Sequence, residues 1–380
     1  MKILKFLIIF ILVLFPFGEL LRFNLGNNII LKPLDIVMGM TALSWFIQTV
    51  LKKRKPALKK EFLFFPLIAL LSLAINITWL KPNEFVASFL YLARWATYAS
   101  LFFVVSGLDK PFKEKIKLYL AIDGLIILAF GFLQYFFFSS LKGLYYLGWD
   151  DHMYRMFSVF LDPNYVGAFF VLYFLFIANI IRERKKLRGY LIILLLLTLI
   201  AIFLTFSRSA LLMLIGGVSI FLFMIKRKRL ILILLGSILL FVVIFSSKFN
   251  VENMNLFREA SVKARLGNYS TSFKIIADHP LLGVGFNTYR YAKERYGIQM
   301  GWVNAPSHAD AGVDNSFLFV LATTGIIGLL AYLFLWGSIM KKASVLVISS
   351  IIALFINALF INSLFFPPLM LWMWFILALL

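Results

Sequence analysis

The chain has 380 residues, of which 62% are hydrophobic and 14% charged, and its 38 Lys+Arg against 17 Asp+Glu give a formal net charge of +21. Soluble domains are about half apolar and a quarter charged, so a water-soluble enzyme, a coiled coil and a disordered chain are excluded, and the chain reads as a polytopic integral membrane protein. It contains no cysteine, which removes disulfides, thiolate nucleophiles and Cys-based metal sites.

A membrane span needs about 20 apolar residues. Twelve candidates run near 3–19, 32–51, 61–79, 86–107, 117–138, 162–182, 189–205, 209–224, 229–246, 316–339, 343–362 and 365–380. The first resembles the apolar core of a signal peptide behind Lys2 and Lys5, but Phe15-Pro16-Phe17-Gly18-Glu19 is a poor cleavage site, so a retained helix is expected. Basic runs follow the even-numbered spans: Lys52–Lys60, Lys110–Lys117, Arg182–Arg188, Lys226–Arg229 and Lys341-Lys342. The positive-inside rule places all of these, and both termini, in the cytoplasm. Charges distributed in this way orient a membrane protein and do not build a nucleic-acid surface.

The odd-numbered loops then face outward. Two are long, roughly 139–161 and 247–315. Long connections are uncommon without a task, so the chemistry is expected at the outer surface of the membrane. No glycine-rich phosphate loop lies on the cytoplasmic side, and no internal repeat of the transporter kind is visible.

Arg208, in Thr205-Phe206-Ser207-Arg208-Ser209-Ala210 between two apolar segments, is the sharpest polar signal. A charge near membrane depth is costly and either functional or paired. Arg208 either snorkels to head groups or offers a planar guanidinium, beside hydroxyls, to a phosphate or diphosphate. Arg94 lies inside the fourth span, with Asp123 in the fifth as a candidate partner, and Asp35 reads as an interfacial cap.

In the long outer loop the spacing predicts a helix over 258–278. Val262, Leu266, Tyr269, Phe273 and Ile276 form its apolar face, and Arg258 and Arg265 lie on a flank. It either lies on the membrane surface or aims Arg265 at what lies beneath. His279-Pro280 ends it and Gly283-Val284-Gly285 turns the chain. Just before the tenth span, His308, Asp310 and Asp314 form the compact cluster of candidate bases. Asp314 and Asn315 alternatively cap that span. In the shorter outer loop, Asp150, Asp151, His152 and Arg155 precede Asp162-Pro163-Asn164 at the start of span six, with Asn164 a candidate contact to a polar ligand.

Taken together, Asp162-Pro163-Asn164, Ser207-Arg208-Ser209, Arg265, His279-Pro280-Leu281-Leu282-Gly283-Val284-Gly285, and Asp314-Asn315-Ser316-Phe317-Leu318 followed by Gly325-Ile326-Ile327-Gly328 resemble the O-antigen ligase and polymerase superfamily, the Wzy/WaaL-like proteins. The resemblance covers about 155–340. It implies an all-α polytopic bundle of about 12 spans, GT-C-like, with a partly helical extracytoplasmic loop domain. The implied layout is N-terminal spans and first outer loop over 1–161, a ligase-like core over 162–342 including the loop 247–315, and C-terminal spans over 343–380.

The resemblance further implies a glycosyltransferase in the bacterial inner membrane, metal-independent and without a cofactor, that takes a glycan from undecaprenyl diphosphate at the periplasmic face. The acceptor is a lipid A-core sugar in a ligase and another lipid-linked repeat in a polymerase. On this resemblance Arg208 and Arg265 grip the diphosphate. Where ligases carry His-Asn at the end of the loop, this chain has Asp314-Asn315, so either Asp314 is the base or His308 folds back to that place. Asn164, Asn315, Arg155 and His279 are further candidate substrate contacts. The competing classes are a flippase for a lipid-linked anion, which twelve spans also suit, and a structural or sensory membrane protein.

Overall fold

The computed structural model describes residues 1–26, 29–51, 60–246, 260–298, 312–341 and 343–379. The fold is an all-α membrane bundle. Its helices are α1 (Lys2–Leu14), α2 (Pro33–Leu51), α3 (Lys60–Ile75), α4 (Pro82–Ser106), α5 (Lys110–Phe137), α6 (Pro163–Glu183), α7 (Arg188–Leu204), α8 (Arg208–Met224), α9 (Arg229–Ser246), α10 (Ala260–Asp278), α11 (Tyr289–Arg295), α12 (Ser316–Met340), α13 (Val345–Ala358) and α14 (Pro367–Leu379). The twelve apolar segments expected from sequence reappear as α1–α9 and α12–α14. The breaks near 207 and 364 fall where expected. Two-residue strands, Phe23–Asn24 and Ile30–Leu31, pair antiparallel in the α1–α2 link.

Among the described residues, six helices (α2 to α6 and α12) are long and apolar enough to cross a membrane. The other six apolar helices have 13 to 18 residues. At 1.5 Å per residue they reach roughly 20–27 Å, short of a hydrocarbon core of about 30 Å. Burial explains one of these: α14 is buried from Pro368 to Leu379. It packs on α6, itself buried through most of its length, as befits helices that are apolar all round and form the centre of a bundle. Trp372 of α14 packs edge-on against Phe169, Tyr173 and Phe176 of α6 and stacks near Phe15.

Two expectations need correction. Lys110, Lys113, Lys115 and Lys117 ride on the first turns of α5 and do not fill a loop. Glu114 between them binds Lys117 at 2.9 Å and Arg184, after α6, at 3.2 Å. Lys5 of α1 pairs with Asp109 before α5. The start of α1, the α4–α5 link and the end of α6 therefore share one end of the bundle. The second correction concerns Arg94, whose partner is Asp35 at the start of α2 (Nη2–Oδ2 2.8 Å), not Asp123. Tyr98 donates to the other Asp35 oxygen at 2.9 Å. Asp123 is buried in α5, with one carboxyl oxygen lacking a hydrogen-bond partner among the described residues.

Candidate functional site

The opposite end of the bundle gathers the starts of α2, α6, α8 and α12, and its geometry is built from polar caps. Asp162 caps α6 by accepting from the Asn164 and Tyr165 amides, at 2.6 and 3.3 Å. Capping leaves the Asn164 side chain free for another task. Its Oδ1 accepts from Ser207 Oγ at 3.0 Å and from Arg155 Nη2 at 3.3 Å. Ser207 is the cap of α8, with Oγ accepting from the Ala210 amide, and Arg208 is the first residue of that helix. Asn164 and Arg155, both sequence candidates for substrate contact, thus converge on the turn that presents Arg208.

Arg155 does more than touch the turn. It is 3% exposed, and it donates through Nε to the Thr205 carbonyl at 2.8 Å and through Nη2 toward the Phe206 carbonyl at 3.4 Å. Phe206 has φ +48°, left-handed for a bulky residue. Such a conformation persists where its surroundings over-determine it, and the Arg155 fork supplies that restraint. Gln134 of α5 anchors the neighbouring loop by accepting from the Phe157 and Ser158 amides and donating to the Arg155 carbonyl. Lysine cannot span two carbonyls and an amide oxygen at once. Arg155→Lys is therefore expected to keep the protein folded and to lower any activity that depends on Arg208 on the order of 10²-fold, the scale set by misplacing a functional group. Steady-state rates, alongside a thermal melt, measure this.

Asp314 lies half-buried on the other side. The amides at the start of α12 are capped by Asn315, whose Oδ1 accepts from Phe317 and Leu318 at 2.9 and 3.0 Å. Asn315 Nδ2 also donates to the Leu359 carbonyl at 3.2 Å. The capping role therefore belongs to Asn315, and the Asp314 carboxyl is left for other contacts. Burial pushes that carboxyl above the ordinary carboxylate range. The Arg265 charge and a hydrogen bond with the Asn268 side chain pull it back, and the charge of Asp162 adds to the rise. Arg265 is also near enough to Arg208 for the two cations to repel. Arg265 of α10 is thus coupled to Asp314 at the start of α12 and to Arg208 at the start of α8.

The orientation of α10 differs from the sequence expectation. Leu266 and Phe273 of the expected apolar face are exposed. Tyr269 and Ile276 of that face do pack inward, joined by Asn268, Ser272 and the fully buried Ile275. Tyr269 donates to the Asp314 and Leu359 carbonyls (3.1 and 2.7 Å), and Ser272 Oγ meets Tyr289 Oη at 2.7 Å. Three- and four-residue spacing found part of the face; the rest of it is polar because it meets helix ends and carbonyls. Val262 has no described side chain, and Arg258, His308 and Asp310, and with them the alternative of a returning His308, lie outside the described residues.

His279 is exposed at the far end of α10, fourteen residues or about 21 Å along the axis from Arg265. The structure does not bring it to the other candidates. The stretch that follows has a structural task. α12 is not continuous, because Gly325 breaks it with φ +64° and ψ −172°. Backbone of 280–285 repairs the break: Val284 and Gly285 donate to the Ala322 and Thr323 carbonyls (both 3.0 Å), and Ile326 donates to the Pro280 carbonyl at 2.9 Å. A Cβ on Gly283 would meet Thr323 backbone at 2.4 Å, and one on Gly325 would meet Leu281 backbone at 2.1 Å. The glycines permit a contact between two main chains.

Sequence reasoning missed two further features. Lys293 of α11 is buried, and its charge reaches Asp314. A cavity of about 160 Å³ opens beside Asp314, with Tyr91, Arg94, Trp95, Tyr165 and Asn362 in its wall. Its residues come from five separate stretches of chain, so no spacing announces it. His152, noted in the sequence, stands 3.9 Å from Asp162.

These features define an all-α polytopic integral membrane protein whose polar site lies where helix ends meet a helical connecting segment. Residues 191–333, from α7 into α12, match the family model described as O-antigen ligase (Wzy_C). The match covers somewhat more than a third of the chain, with Arg208, Arg265, Asp314 and the Gly325 break all inside the matched stretch. No curated protein matches the chain.

Proposed function

We propose that the protein is a membrane glycosyltransferase that moves a glycan from undecaprenyl diphosphate to a lipid A-core or similar acceptor at the outer face of the inner membrane. The observation that carries this reading is that Arg265 lies within charge reach of both Arg208 and the half-buried Asp314, whose carboxyl is not used for capping. Two cations close enough to repel each other are suited to an anion with more than one charge, and guanidinium forks suit phosphate oxygens. The N-terminus of α8 adds its own favourable potential there.

In this mechanism the acceptor hydroxyl gives its proton to Asp314. Its oxygen forms a bond to the anomeric carbon of the donor glycan as the bond from that carbon to the diphosphate oxygen breaks. The electron pair leaves with the diphosphate, and Arg208 and Arg265 stabilise the negative charge it gains. A single displacement inverts the anomeric centre. The lipid–diphosphate–sugar linkage supplies the driving force, so the reaction runs without ATP.

Reconstitution tests the proposal. Protein in liposomes, given undecaprenyl-diphosphate oligosaccharide and glycolipid acceptor without nucleotide, is expected to form a covalent glycan product. One-step capping of a lipid A-core marks a ligase, and a ladder of repeats marks a polymerase. Movement of the lipid-linked sugar between leaflets with no new covalent bond would replace this reading with transport.

A further inference from the structure

We propose that the cavity beside Asp314 is the subsite for one uncharged sugar ring of the acceptor, with Asn362 and Asn287 as its polar contacts. This rests on the glycosyl-transfer reading and names the place of the second substrate.

Size is the first argument. The cavity is about 160 Å³, and an engineered protein cavity of about 150 Å³ holds one benzene ring. One six-membered ring therefore fits, and a ring with substituents fits by projecting through the open side. Wall chemistry is the second. Tyr91, Trp95 and Tyr165 present aromatic surface, which suits the C–H faces of a sugar, and Tyr165 is held in place by stacking on Phe366 at 4.1 Å. Asn287 and Asn362 add amides. Asn362 Oδ1 is buried with no hydrogen-bond partner among the described residues. An unsatisfied buried acceptor is expensive, and a turn of the Asn362 amide into the cavity lets a sugar hydroxyl satisfy it.

Charge separates this cavity from the diphosphate locality. The cation in its wall, Arg94, is neutralised by Asp35, which Tyr98 also holds. Arg208 and Arg265 are not among the lining residues. The anionic part of the donor is drawn to those two arginines, and the neutral ring is left to the cavity. Asp314 lies in the wall, so a hydroxyl of a bound ring is presented to the base. The position in the sequence agrees. Arg208, Arg265 and Asp314 fall inside the stretch that matches the family, as do Phe286 and Asn287 of the cavity wall, whereas Tyr91, Arg94, Trp95, Tyr165 and Asn362 fall outside it. The aromatic surface on which a sugar would lie is thus supplied largely from outside that stretch.

The test uses full-length protein in nanodiscs and two probes, methyl glycosides (glucoside, galactoside, mannoside) read by saturation-transfer NMR, and inorganic pyrophosphate read by its shift of the melting midpoint. At least one glycoside is expected to bind wild type. Asn362→Leu and Asn287→Ala are each expected to weaken it about tenfold, the effect of one unmade buried hydrogen bond, with pyrophosphate binding unchanged. That unchanged binding also reports that the variants are folded. Arg208→Ala should do the reverse. Absence of glycoside binding, wild-type glycoside affinity in both asparagine variants, or displacement of the glycoside by a lipid-diphosphate-linked monosaccharide would overturn the proposal. Loss of pyrophosphate binding in the wild type would instead count against the glycosyl-transfer reading itself.

Discussion

Replacing Arg208 or Arg265 by alanine is expected to lower glycan transfer by about 10²–10³-fold each, the usual effect of removing one group that stabilises charge in a transition state. The double variant should show no transfer above background. The arginines lie on different elements, one starting α8 and one on the docked face of α10, so neither loss is compensated by a neighbour on the same helix. Because their charges repel, an anion that bridges them should stabilise the folded protein. Pyrophosphate is expected to raise the wild-type melting midpoint and to leave that of the double variant unmoved. Arg208→Lys keeps the charge but loses the planar fork, and should retain pyrophosphate binding better than it retains turnover. Radiolabelled donor in proteoliposomes, together with melting curves, measures both effects.

The second large effect concerns pH. Asp314 accepts a proton only when ionised, and burial raises its carboxyl above the ordinary range near 3.9. The rate should therefore fall as pH drops through that raised value, giving an acid limb above the usual carboxylate range. Arg265 pulls the carboxyl down, so Arg265→Ala should displace the limb to still higher pH in whatever activity remains. Asp314→Asn should remove the limb and lower the rate by about 10²–10⁴-fold, the range for a lost general base. Asn315, which caps α12, is intact in that variant, so the melting midpoint should stay near wild type. A pH–rate profile of kcat/KM for the three proteins decides this. An acid limb that persists unchanged in Asp314→Asn would assign the base elsewhere.

The helices were legible in the sequence because membrane spans announce themselves by composition alone. The turn at Ser207-Arg208 was equally legible, since a charge between two apolar runs has few places to lie. The polar contacts were less so. Arg94 was matched with Asp123 on the basis of adjacent spans, whereas its partner Asp35 is 59 residues away. Sequence spacing reports a helix face but not which helix it meets. For the same reason Leu266 and Phe273 were assigned to a packed face that Asn268 and Ser272 occupy. Gly325 was visible only as a glycine in an apolar run, and its break in α12 depends on backbone partners more than forty residues upstream. Asn315 and Asp314 were equivalent as caps in the sequence, and only the geometry separates their roles.

The repair of α12 also bears on how the chain is made. Ser72 and Asn76 of the α3 region bind backbone of the same junction: Ser72 Oγ donates to the Leu282 and Thr323 carbonyls, and Asn76 Nδ2 to the Gly283 carbonyl. These partners are synthesised 200 to 250 residues later. At about 5–20 residues per second, α3 waits on the order of 10–50 s for them, with Ser72 and Asn76 at membrane depth or its border and their final partners not yet made. Assembly of this bundle is therefore not a stepwise addition of finished hairpins. An early helix stays incompletely satisfied until nearly the last spans arrive, and during that interval it is a ready client for an insertase or membrane chaperone.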